Sequence, residues 1–244
     1  MNSTSPLTSS LGRAAAAASP TRRVVDAPTR AFHWLFALCF VGAYATSDGE
    51  RLRMLHVTLG YTMAGLLTFR VLYGLFGPRH ARRSLMWRKL SSLGPWLRSW
   101  RPGPSTGAVN WRQGQNLLMA LAVVALLALV VPLTLSGYAT FNEWGGEWLE
   151  ELHEAVGQAF LLVVLLHLAA IAGMSVLRRK NQALPMLTGR VPGAGPDLVR
   201  HDHAWLAGVL VLAVAAFWSW EWQHSPNGLL SATTLNSPRG ADDD

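Results

Sequence analysis

Apolar residues in this chain fall in long unbroken blocks, not in the i, i+3, i+4 rhythm of a helix with one wet face. The blocks run from about Phe32 to Tyr44, Val57 to Phe76, Leu117 to Leu135, Ala155 to Val176 and Ala204 to Trp220. Roughly 20 helical residues cross a hydrocarbon core of about 30 Å. Each block therefore predicts one spanning helix, with the first needing its polar flanks or some tilt. Polar, charged or Pro/Gly-rich stretches separate the blocks. The fold class this implies is an all-α integral membrane protein: a four-helix transmembrane bundle followed by a fifth C-terminal transmembrane helix. The division is a cytoplasmic disordered tail over 1–22, a membrane domain over 23–190, a linker with the fifth helix over 191–220 and a periplasmic tail over 221–244.

Composition agrees with this reading. Half of the 244 residues are apolar and only 14% are charged, the balance of a lipid-embedded chain and not of a soluble domain. The Ser-, Ala- and Thr-rich start, Met1 to Thr21, has no apolar signal core. The single cysteine, Cys39, excludes a disulfide framework and reads as a small packed side chain.

Charge placement predicts the orientation. The connection Gly77 to Gln115 holds Arg79, Arg82, Arg83, Arg88, Lys89, Arg98, Arg101 and Arg112 without an acidic residue, and Arg178, Arg179 and Lys180 close the fourth block. Basic loops stay in the cytoplasm. The connection between blocks three and four instead holds Glu143, Glu147, Glu150, Glu151 and Glu154. The expected arrangement is a multi-pass protein of the cell inner membrane, N-terminus cytoplasmic and C-terminus periplasmic. Its net charge of +7 then faces anionic lipid, and nucleic-acid binding has no support.

Within this frame the histidines carry the chemistry. His153 and His167 lie 14 residues apart on block four, about four helical turns and about 21 Å, so they share a face at two depths. His33, near the cytoplasmic end of block one, matches the depth of His167. His56, near the outer end of block two, matches His153. Two ligands per layer suit haem iron, because the porphyrin supplies the remaining four donors, whereas zinc or copper asks for more convergent protein ligands at one depth. The bland alternative is a set of interfacial histidines satisfied by water or backbone. It is weakest for His167, deep in a run of Leu and Val.

Two glycines and two arginines complete the predicted cofactor set. Gly60 and Gly157 each follow an outer histidine by four residues, one turn along the same face, where a missing side chain leaves room for a flat macrocycle. Close helix packing is the competing explanation. Arg70 lies 14 residues after His56, at the inner depth, where a haem propionate gives its charge a partner; snorkelling to headgroups competes. Arg30, three residues before His33, is a second candidate for that role.

The segments Val25-Asp26-Ala27-Pro28-Thr29-Arg30-Ala31-Phe32-His33-Trp34, Leu55-His56-Val57-Thr58-Leu59-Gly60-Tyr61, Tyr73-Gly74-Leu75-Phe76-Gly77-Pro78-Arg79-His80 and Leu152-His153-Glu154-Ala155, with His167, resemble the bacterial cytochrome b561 family, which includes the cytochrome b subunits of nickel-iron hydrogenases. The resemblance covers roughly Arg23 to Arg190. It implies a four-helix membrane domain holding b-type haem through paired histidines, with ligands at His33, His56, His153 and His167, and electron transfer between the quinone pool and a redox partner. The long basic loop, the fifth apolar block and the tail Glu221 to Asp244 depart from the compact family pattern, and the fifth block is a candidate surface for a partner or a homodimer.

The function expected is that of a dihaem cytochrome b in respiratory electron transport, with two haems b per chain. The alternative is an oxidoreductase acting on superoxide or ferric ion at the outer haem. The acidic outer loop is a candidate dock for a basic periplasmic c-type cytochrome, against the plainer reading of a solvated loop. Hydrogenase-like partners are the other expectation. No residue marks the quinone site, although Tyr44, Tyr61 and Tyr138 are available. His201, Asp202 and His203 read as solvated surface more than as a metal site, His80 and His224 as surface, and Leu184 to Asp197 as a flexible tether.

Overall fold

The computed structural model describes residues 20–78, 91, 94 and 111–224. The predicted tail over 1–19, most of the basic loop with His80, and residues 225–244 lie outside the described residues. The elements in order are β1 (Thr21–Arg23), α1 (Ala27–Ala45), a 3-10 turn (Glu50–Leu52), α2 (Arg53–Phe76), α3 (Trp111–Phe141), α4 (Glu147–Arg178), α5 (Leu184–Thr188), β2 (Arg190–Pro192) and α6 (Ala204–His224). Each of the five apolar blocks lies inside one long helix. The helices extend beyond the blocks because polar flanks continue the helix into the interface. Four of them, α2, α3 from Leu117, α4 and α6, are long and apolar enough to cross a membrane. The 19-residue α1 carries Arg30 and His33 in its first turns and is not among them.

Neighbouring helices pair as α1 with α2, α2 with α3 and α3 with α4, while α6 lies against α1 and, less extensively, α2. Phe160 of α4 closes the circuit by packing on Phe40 and Phe36 of α1, with ring centroids 4.6 and 6.3 Å apart. Cys39, Leu59, Met63, Leu66 and Val130 fill the space around these rings. In lipid, helices gain little from the hydrophobic effect between them, so close packing of small groups matters. Gly42 illustrates this: a Cβ there meets Leu59 Cδ1 at 2.9 Å. Hydroxyls inside the helices satisfy themselves locally, as Thr58, Thr62, Thr134, Ser136 and Ser175 each donate to the carbonyl four residues back.

One end of the bundle is tied by a latch. β1 and β2 pair antiparallel, with Arg22 opposite Val191, so Thr21 and Arg22 belong to a strand and not to the tail expected over 1–22. A two-stranded pair is marginal alone; here Asp197 accepts from Arg23 N at 2.6 Å and Arg23 O accepts from Leu198 N at 2.9 Å. The expected flexible tether from Leu184 to Asp197 is likewise structured by α5 and β2. Gly189 ends α5 at φ 76°, and its carbonyl accepts from Val24 N and Val25 N. A side chain there is strained and meets Val25 O at 2.7 Å.

Asp202, read from the sequence as solvated surface, is also part of this latch. Its side chain accepts from Ala27 N at 2.9 Å and faces Arg30 at 3.4 Å. Free amides at the start of α1 need such an acceptor. Asp26 caps the same helix by accepting from Thr29 N at 3.1 Å, and it is almost fully buried because Tyr73 of α2 donates to its second oxygen.

Candidate haem-binding site

The bundle brings the four predicted histidines onto three helices: His33 on α1, His56 on α2, and His153 and His167 on α4. The ring centroids of His56 and His153 lie 6.0 Å apart, with planes at 79°. Two imidazoles on opposite sides of one metal ion, with metal–nitrogen bonds of about 2.0–2.1 Å, have centroids about 6.4 Å apart. The spacing fits two imidazoles that would hold one metal ion between them.

The tautomers follow from the neighbours. His56 Nδ1 lies 2.8 Å from Ala43 O, and His153 Nδ1 lies 3.0 Å from Leu133 O. A carbonyl only accepts, so each Nδ1 carries the proton and each Nε2 keeps its lone pair for a metal. Ala43 O lies in the last turn of α1, where Ser47 N turns to Tyr44 O, and it is shared by the imidazole with Thr46 N and Thr46 Oγ1, each at 3.2 Å. Ser136 Oγ, which donates to Pro132 O, sits 3.3 Å from His153 Nδ1 and accepts a share of the same proton. Gly137 lets the imidazole lie against α3: a Cβ there stands 2.8 Å from His153 Cε1. Sequence reading missed Ala43, Leu133, Ser136 and Gly137, since nothing in one chain's pattern says which carbonyl a histidine will meet.

The second pair is built differently. His33 and His167 are partly buried, lie close enough to interact electrostatically, and His33 stands edge-on to Trp34. His167 Nδ1 is buried without a hydrogen-bond partner among the described residues. Arg70 feels the Asp26 carboxylate and the Tyr73 ring, yet its Nη1 is also buried and unpartnered. Arg30 is held in the latch, where Nη2 faces Asp202 and Nη1 donates to Leu187 O at 3.2 Å, while its Nε, like Arg70 Nη1, is buried without a hydrogen-bond partner among the described residues. Open space lies beside Gly60, with no heavy atom within 4 Å of a Cβ, and Gly157 meets only Leu133 Cδ1 at 3.8 Å.

These features fit a porphyrin better than a bare ion. Two adjacent imidazoles with Nδ1 turned to backbone carbonyls, open glycine faces and unpartnered guanidinium nitrogens would offer ligands, room for a ring and a charge for a propionate. Among the described residues no three of His, Cys, Asp and Glu converge as a metal-ion cluster.

The family model described as prokaryotic cytochrome b561 matches residues 24–189. The chain belongs to the prokaryotic cytochrome b561 family. It is therefore a membrane b-type cytochrome of electron transfer, and the family's cofactor is b-type haem. The match starts at Val24, just after β1, and ends at Gly189, the residue that closes the latch, so both strands and α6 lie outside it. Of the segments that carried the resemblance, two meet directly through Asp26 and Tyr73. No match is found among curated proteins or among solved structures.

Proposed function

We propose that this cytochrome b561 holds two b haems and carries electrons across the cell inner membrane, between the quinone pool and a redox partner. His56 and His153 hold the outer haem, and His33 and His167 the inner one. The observation that carries the reading is the outer pair, 6.0 Å apart with both Nδ1 atoms turned to backbone carbonyls. Haem, when bound, supplies one-electron chemistry. Everything else falls to the chain. The carbonyls of Ala43 and Leu133 fix ring orientation and keep Nε2 unprotonated. Arg70 offers its free nitrogen to an inner propionate, and Gly60 and Gly157 leave their helix faces clear. The apolar packing around Phe160 keeps water from the space between the layers.

The topology that goes with this function has α1 as a fifth crossing, the latch in the cytoplasm and the C-terminus outside. The acidic α3–α4 turn, with Glu143, Glu147, Glu150 and Glu151, then lies outside beside His153 and attracts a basic c-type cytochrome.

The test is a reduced-minus-oxidised spectrum with a pyridine haemochrome count on purified full-length protein. Two haems b per chain are expected. His56→Ala should remove one and His167→Ala the other, with each variant keeping the redox midpoint of the haem that remains. A single haem, or loss of the same haem in both variants, overturns the two-layer reading.

A further inference from the structure

A cavity of about 550 Å³ lies between α2 and α6, lined by Tyr61, Thr62, Gly65 and Phe69 on one wall and by residues from Leu206 to Phe217 on the other. That volume falls within the range of small-molecule sites. The shape follows from the antiparallel helices. The lined stretch runs about 12 Å along α2 and about 16 Å along α6. It opens sideways, since Gly65 and Val209 are both exposed.

Polarity is confined to one end. Of the lining residues only Tyr61 and Thr62 carry polar side chains. Thr62 Oγ1 donates to Thr58 O and accepts from Trp218 Nε1 at 2.8 Å, which pins α6 to α2 and closes that end. The Tyr61 hydroxyl is the donor left for a ligand, with Tyr138 and Glu221 in its electrostatic neighbourhood. No Lys or Arg lines the groove.

We propose that this groove binds an isoprenoid quinone, its ring against Tyr61 and its tail along Phe69 and Leu206. The inference rests on the reading above that the chain exchanges electrons with the quinone pool, and adds where the quinone sits. A narrow apolar trough with one hydrogen-bonding end matches a neutral ring on a long tail. A phospholipid fits poorly, because the polar end lies about 12 Å along α2 from Arg53 at its start, below the headgroup layer, and no cation lines it to meet a phosphate. Tyr61 also lies five residues from His56, about 7.5 Å along the axis, beside the outer histidine layer. The second wall is α6, outside the family-matched residues, so the trough exists because this chain adds a helix.

The experiment uses the full-length haem-loaded protein in phosphatidylcholine nanodiscs and an isoprenoid quinone bearing a photoreactive azido group on its ring. Labelling is expected in peptides spanning 61–69 and 206–217, suppressed by excess unmodified quinone and unaffected by the isoprenoid alcohol of the same tail. Gly65→Trp should lose the label while keeping the haem spectrum, because a Cβ at Gly65 meets nothing within 4 Å and the added ring fills the trough. Ala213→Trp, from the opposite wall, should do the same. Labelling elsewhere, labelling unchanged in both variants, or equal competition by the alcohol overturns the site. Haem reduction by quinol in the unlabelled wild type is read separately. If quinol reduces the haems and the label lies elsewhere, the site fails and the function stands. If the label lies in the trough and quinol leaves the haems oxidised, the site stands and the quinone-linked function fails.

Discussion

Single atoms decide the chemistry of the outer histidine layer. His153 Nδ1–H is shared between Leu133 O at 3.0 Å and Ser136 Oγ at 3.3 Å, and His56 Nδ1–H goes to Ala43 O. Hydrogen bonds of this kind raise the basicity of a ligating imidazole and fix its tautomer. The inner layer lacks the equivalent at His167, whose Nδ1 is buried and unpartnered. Two consequences follow at this scale. With two haems held as proposed, the one at His56 and His153 should show the lower midpoint potential. Ser136→Ala should raise that midpoint and weaken haem retention at the outer site by about tenfold, leaving the inner haem unchanged in a potentiometric titration followed by optical spectra. The histidine spacing was legible in the sequence, because it needs only the helical repeat, and the structure brings His56 beside His153. Their carbonyl partners were not, because a backbone acceptor has no residue-type signature.

Helix ends and helix contacts carry the stability. Asp26 joins α1 to α2 by capping the first and accepting from Tyr73 of the second. Asp26→Ala removes a cap, worth about 1 kcal/mol, and strands a buried hydroxyl at a further cost of about 1–3 kcal/mol. Thermal unfolding in detergent should therefore show a loss of about 2–4 kcal/mol, with Asp26→Asn losing less because an amide oxygen still caps. Gly42 is the complementary case in the middle of the same pair. With Leu59 Cδ1 at 2.9 Å from a Cβ, Gly42→Leu should push α1 from α2, and with it Ala43 O from His56. Loss of outer haem before loss of helical circular dichroism is the expected sequence. The long helices were legible because apolar blocks of this length have few alternatives in lipid. The latch was not: Thr21–Arg23, Leu184–Thr188 and Arg190–Pro192 are short polar segments that take structure only from one another.

On the scale of the whole molecule, the α1–α4 bundle presents an acidic turn at one end and a hydrogen-bonded latch at the other, with α6 fastened alongside through Asp202 at its start and Trp218 near its end. If the acidic turn receives a basic c-type cytochrome, its association rate should fall steeply as ionic strength rises, since exposed charges are screened within about 10 Å at 0.1 M salt. Replacing Glu147, Glu150 and Glu151 by Gln should flatten that dependence in stopped-flow mixing without altering the haem count. That α6 is a helix was legible from its apolar block. What it does there was beyond the pattern, because the groove it forms with α2 depends on which faces meet. The sequence by itself determined the class, the long helices and the 14-residue spacing of the histidines on α4, since hydropathy and a fixed helical rise dictate them locally. Only the tertiary structure decided which carbonyls hold the imidazoles, which nitrogens of Arg30 and Arg70 find partners and where α6 leaves a trough. Those depend on side chains far apart in the chain meeting at distances of a few ångströms, and no periodicity along one chain encodes them.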